Sequence, residues 1–144
     1  AVDPSVRGFE LSASRRAASP VPVLHTAAGA ATLPFPDDRF DSALCTWSLC
    51  ATDDPATVLR ELSRVLRPGA SLHLVEHGLA EDPSVVRWQH RTSGLNHAVA
   101  GCVLDRDVPG LLEASPLQVV QMRTYYEPGA PKTPGFTYEG RAVA

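Results

Sequence analysis

The apolar positions fall into two kinds of run. In residues 55–66, Val58, Leu59, Leu62, Val65 and Leu66 have the i, i+1, i+4, i+7, i+8 spacing of one buried helical stripe. Asp54 can accept from the free amides at its start, Pro55 suits the first helical position, and Arg67-Pro68-Gly69 should stop it. Short apolar runs flank this helix, at 41–46 (DSALCT) and 71–76 (SLHLVE), and both read as strands. Strand, helix, strand implies parallel pairing through a right-handed crossover.

The same reading extends outward. Ala1–Asp3 looks like the tail of a strand. Residues 5–18 form an expected helix with Val6, Phe9 and Ala13 on one face, ended by Pro20 and Pro22, and Val21–Leu24 is a short strand. A small-residue loop, TAAGAATLPFPDD, follows. Beyond Gly78, residues 83–99 are expected to be helical, capped by Asp82, with a stripe of Val85, Val86, Trp88, Leu95 and Val99 that Gly94 weakens. A short helix near 108–114 precedes two strands, 117–126 and 136–143. The turn-forming connector EPGAPKTPG marks these as a hairpin. The pattern is α/β with a C-terminal antiparallel hairpin.

At 144 residues the chain has room for one domain. No run of about 18 apolar residues is present, so no membrane span is expected. A net charge of −3 without a basic cluster speaks against a nucleic-acid partner. Cys45, Cys50 and Cys102 lie in apolar contexts (ALCTW, SLCAT, AGCVL). They are too few for a disulfide scaffold and lack the C-x-x-C spacing of a zinc site, so buried, inert thiols in a reducing, cytoplasmic compartment are expected, with no metal.

Two stretches carry a resemblance. LPFPDDRFDSALCTWSLC followed by LRELSRVLRPGASLHLVEHG resembles the class I S-adenosylmethionine-dependent methyltransferases, in the ubiquinone-biosynthesis-type and thiol-methyltransferase branch. The matching positions are Leu33, Pro34, Phe35, Asp37 or Asp38, Phe40, Asp41, Arg64–Gly69 and Glu76-His77. Ala70 stands where that pattern has a second glycine. Trp88-Gln89, Gly101-Cys102, Arg106 and the final TYEGRA strand resemble the same branch. The resemblance implies a Rossmann-like sheet ordered 3-2-1-4-5-7-6 in the family's own strand numbers, with strand 7 antiparallel. Ala1–Asp3 and Val21–Leu24 then stand for strands 2 and 3, the two central runs for strands 4 and 5, and the hairpin for strands 6 and 7. Strand 1 and its Gly-rich turn have no counterpart. The expectation is a single, incomplete methyltransferase domain over residues 1–144, N-terminally truncated, with unpaired strand edges and a sheet split in two.

The resemblance also assigns candidate residues. Asp3 would accept from the ribose hydroxyls of S-adenosylmethionine, unless it serves as a helix cap. Ala30, Ala31 and Leu33 would border the adenine, where the family often has an acidic residue. Cys45, Thr46 and Trp47 would border the sulfonium and methyl, although Trp47 could equally pack on a helix. His77, ending its strand on the same rim, is the candidate proton acceptor, with pairing to Glu76 or a loop amide as the alternative. His73 should pack into the sheet. Trp88 and Gln89 are candidate substrate contacts. Arg106 either binds an anionic group or pairs with Asp105 or Asp107.

The implied activity is methyl transfer by in-line SN2 displacement to a small acceptor: a thiol, a quinone or a lipid-like molecule. The cofactor carries the difficult chemistry, so the protein need only align the groups and exclude water. Two other classes remain at this point. A nicotinamide oxidoreductase would use Asp3 equally well, but Gly129 and Ala130 stand four residues after Tyr125 and Tyr126, so no Y-x-x-x-K pair is present. A non-catalytic fragment or degenerate module is the other.

Overall fold

A computed structural model describes all 144 residues. Two short helices, α1 (Val6–Leu11) and α2 (Ala13–Ala17), precede β1 (Phe40–Thr46), α3 (Pro55–Val65), β2 (Leu66–His77), α4 (Pro83–Ala100) and α5 (Val108–Glu113). The chain ends with β3 (Gln118–Tyr126), the single turn α6 (Lys132–Gly135) and β4 (Phe136–Val143). The four strands form one mixed sheet in the order β1-β2-β4-β3. β1 and β2 are parallel, as the strand-helix-strand pattern requires, and β4 lies antiparallel between β2 and β3. This is the 4-5-7-6 half of the expected order. No helix is long and apolar enough to cross a membrane.

α3 forms for the reasons its sequence gives. The Asp54 carboxylate accepts from Thr57 N at 2.9 Å, and Pro55 occupies the first turn. Val58 and Leu59 are buried with Leu72 and Leu74 of β2, Val108 and Leu112 of α5, and Tyr138 and Ala142 of β4 in one core cluster, and Val65 is buried at the end of the helix. The alternation of β2 puts Leu72, Leu74 and Glu76 into this core. His73 therefore faces the other way. It is exposed beside Arg123, Glu139 and Arg141 on the uncovered face, not packed as expected.

Arg67-Pro68-Gly69 ends α3 but does not delay the strand. Phe40 pairs with Leu66 and Ser42 with Ser71, so these residues form an irregular bulge inside β2. Gly69, at φ +80°, makes the turn and donates to Ala144 O at 2.8 Å. α4 also departs from its expected stripe. Its buried positions are Val85, Gln89 and Ser93, whereas Leu95 and Val99 are 70% and 81% exposed. Polar clasping holds this face. Ser93 Oγ donates to Asp105 Oδ1 at 2.5 Å and accepts from Leu104 N at 3.1 Å.

The N-terminal segment differs most from expectation. The strands expected at Ala1–Asp3 and Val21–Leu24 reduce to one isolated parallel bridge, Val2 with Thr26. Pro20 and Pro22 lack amide donors, and no further strand lies alongside to extend the ladder. The single helix expected over residues 5–18 breaks at Ser12, whose hydroxyl donates to Phe9 O at 2.7 Å. The sheet is thus divided as anticipated: the bridge stands apart, and the outer edge of β1 is unpaired.

Candidate functional site

The loop after β1 and the end of β2 meet around a carboxylate. Glu76 is fully buried and accepts from Ser48 N at 2.9 Å, Leu49 N at 3.1 Å, Cys50 N at 3.3 Å and Cys45 Sγ at 3.3 Å. Three successive amides aimed at one side chain fix the loop's path. Burial, then the charge of Glu76, pushes the Cys45 thiol far up, so it stays protonated and donates. The sequence showed Glu76 only as part of an E-H pair. Its central position follows from alternation, which points residue 76 inward and residue 77 outward.

His77 accordingly does not pair with Glu76. Its ring stacks on Trp47 at 5.8 Å between centroids and 27° between planes, and its Nδ1 lies 3.5 Å from Cys102 Sγ. Trp47 sits at φ +47° and donates its amide to Val75 O at 2.9 Å. A cavity of about 310 Å³ opens here, lined by Trp47, Cys50, His77, Asn96, Cys102 and Pro134 among others. The cysteines are not uniformly buried. Cys50 is buried, and the neighbouring Cys102, then burial, pushes its thiol up; the same neighbour lowers that of the half-buried Cys102.

The other cofactor candidates gather elsewhere. Ala30, Leu33 and Cys45 line a second, mainly apolar cavity of about 490 Å³ between the Val2–Thr26 bridge and β1, with Val58, Leu62 and Val65 of α3 as its far wall. Ala31 packs against the adjoining core. Asp3 is exposed at the end of the bridge. Its Oδ1 accepts from Ser5 N at 2.7 Å, while Ser5 itself caps α1. Thr46 is exposed.

Trp88 is more than half exposed, under Arg91, and lines neither cavity. Gln89 is 1% exposed and fully engaged. Its Oε1 accepts from Ala80 N at 2.8 Å, and its Nε2 donates to Gly78 O at 2.9 Å and Thr133 O at 3.1 Å. That amide is a clasp between the β2 exit and the hairpin loop, with nothing free for a ligand. Arg106 pairs with neither neighbouring aspartate. Its Nη2 donates to Thr52 O at 2.8 Å, and its buried Nε has no partner.

The motif residues behind the resemblance have a mechanical role. Arg64 donates to Leu33 O at 3.1 Å, Phe35 O at 2.9 Å and Asp37 Oδ1 at 2.7 Å, and it pairs with Glu61. Glu61 in turn accepts from Leu33 N at 2.8 Å. Arg64, then that amide, holds the Glu61 carboxyl down at about 2. Arg67 similarly joins Asp41 and Asp38 O. Glu61 of α3 thus fixes the Leu33 amide, a contact visible only in three dimensions.

A profile of the methyltransferase domain matches residues 1–74. The chain belongs to the class I S-adenosylmethionine-dependent methyltransferase family. A methyltransferase from Methanosarcina mazei has the same fold, with a TM-score of 0.73 at 16% identity, covering 99% of this chain and 79% of that one. The 2-phytyl-1,4-naphtoquinone methyltransferase of Synechococcus elongatus is 42% identical over 57 residues, which is 40% of this chain and 24% of the relative. A human thiol S-methyltransferase is 35% identical over 88 residues, 60% of this chain and 36% of the relative. The methyltransferase chain therefore spans well under half the length of these curated relatives.

The family's cofactor is S-adenosylmethionine. The residues present fit its nucleoside end: Asp3 has a free carboxylate oxygen, and Ala30 and Leu33 offer an apolar wall. They do not fit its methionine end, for which this chain presents no glycine-rich turn of backbone amides.

Proposed function

We propose that the protein is an S-adenosylmethionine-dependent methyltransferase acting on a small-molecule acceptor: a thiol, a quinone or a lipid-like compound. Residues 1–144 then form part of one methyltransferase domain. The observation that carries this reading is the convergence of the β1 and β2 carboxyl ends on the Trp47–His77 cavity, where open α/β sheets bind ligands. When bound, the cofactor supplies a methyl group already activated on a sulfonium. Asp3 holds the ribose, and Ala30, Ala31 and Leu33 border the adenine. Thr46 and Trp47 face the reacting end, and the buried Cys45 supports that loop through Glu76.

Trp47 covers the cavity and excludes water. His77, which lines the cavity, accepts a proton from the acceptor. Gln89 holds the Thr133 carbonyl beside Pro134 of the cavity wall. Along the free edge of β1, a further strand would pair and carry the amides the methionine end needs.

Calorimetric titration of S-adenosylhomocysteine into this chain and into an upstream-extended reading frame tests the proposal, followed by transfer from labelled S-adenosylmethionine to thiol and quinone acceptors. Binding and transfer by the extended protein alone are expected. Absence of binding by both, each verified as folded, would favour a non-catalytic module. Equal binding by both would show that no further strand is needed.

A further inference from the structure

One cluster, which shares His77 with the proposed transfer site, has the composition of a metal centre. Cys50 Sγ, a ring nitrogen of His77 and Cys102 Sγ all lie within 4.8 Å of one another. They come from three separate places: the loop after β1, the last residue of β2, and the loop after α4. No sequence spacing announces them, because 27 and 25 residues separate the ligands (77 − 50 and 102 − 77). We propose that these three side chains bind a zinc ion, leaving a fourth coordination position open to the 310 Å³ cavity they line.

The sulfur–nitrogen edge of the cluster has the dimension of tetrahedral zinc. Bonds of about 2.3 Å to sulfur and 2.0–2.1 Å to nitrogen place sulfur and nitrogen about 3.5 Å apart across a tetrahedral edge. Cys102 Sγ and His77 Nδ1 are 3.5 Å apart. Two thiolates and an imidazole suit a borderline-soft ion, and a Cys₂His set with one open position is a known arrangement for zinc that binds an exogenous ligand. The two thiolates neutralise a divalent charge.

The surroundings hold the ligands in place before any ion arrives. Glu76 accepts from the amide of Cys50. Val103 N donates to Cys50 O at 2.8 Å, tying the two cysteine loops together. Asn96 Nδ2 donates to Cys102 O at 2.6 Å, and Trp47 stacks on the His77 ring. Such outer contacts normally orient metal ligands and tune affinity. With an ion on Nδ1, His77 Nε2 carries the ring proton and becomes a donor. The metal reading therefore replaces the proton-accepting role of His77 and does not depend on the methyltransferase assignment.

The test is zinc analysis of protein purified under a non-thiol reductant, followed by cobalt(II) titration and X-ray absorption at the zinc edge. Expected are one ion per chain, a thiolate-to-cobalt charge-transfer band with the intense visible absorption of tetrahedral cobalt, and a zinc shell of two sulfurs and one imidazole. Cys50→Ser, Cys102→Ser and His77→Ala should each weaken binding by roughly a hundredfold or more. His73→Ala, on the uncovered face of the sheet and outside the cluster, should retain full stoichiometry. The wild-type spectra decide even if a variant fails to fold. Folded wild-type protein that takes up neither metal under reducing conditions would overturn the proposal. So would a zinc shell without sulfur, or a Cys50–Cys102 disulfide that persists under the reductant.

Discussion

Residues 1–32 contain no buried side chain, whereas every buried residue of the molecule lies at or beyond Leu33. Both regions carry the same kinds of local signal. Ser5 caps α1 as Asp54 caps α3, and each helix has apolar residues at helical spacing. The difference is what lies opposite. α3 faces Leu72, Leu74 and Leu112 across a continuous core. In the first region Phe9 stacks on His25 at 4.1 Å, Arg16 covers the other side of that ring, and a few backbone bonds join Ala1 and Asp3 to Thr26. Caps and periodicity nominate an element, but a facing apolar surface decides whether it is long and continuous.

The contrast predicts graded losses in urea midpoints. Leu74→Ala removes a side chain that is 1% exposed at the centre of the core and should cost about 2–5 kcal/mol. Glu76→Gln should cost about 2–4 kcal/mol, because an amide NH₂ would confront backbone donors that now meet a carboxylate. Glu61→Gln should cost roughly 1–2 kcal/mol at neutral pH, a charge-assisted contact discounted for partial exposure. The pH dependence of that loss follows from a folded carboxyl held at about 2 against an ordinary 4.5. The stabilisation is complete above 4.5 and fades as pH falls toward 2, so wild type and variant should converge in acid. Leu24→Ala, at a residue 79% exposed, should change stability by less than about 0.5 kcal/mol. A large effect there would show that the first region is coupled to the core after all.

What the sequence made legible follows the same division. β1, α3 and the hairpin match their expected bounds to within a residue because each buries a face whose period is written in consecutive residues, whereas β2 begins at Leu66, five residues before the expected Ser71. His73 was misassigned since alternation alone does not say which face of a sheet is covered. The α4 stripe failed for a related reason: Gln89 and Ser93 are buried through hydrogen bonds that hydropathy does not count. At the candidate site, Trp47 and His77 were anticipated at strand ends. Their stacking, the hub at Glu76 and the meeting of Cys50 with Cys102 depend on contacts between distant segments, which no spacing rule encodes.

Trp47 holds a last consequence. A bulky residue in the left-handed region, at φ +47°, sits roughly 1–2 kcal/mol above the conformation its own chemistry prefers. Glycine would rest there without tension. The turn after β1 thus resembles a loaded spring, latched by the amide bond to Val75 and by the imidazole beneath the indole. Any event that withdraws His77 from the ring weakens one latch and lets the backbone relax. The aromatic cover over the cavity would then swing on stored torsion instead of waiting for a collision to push it.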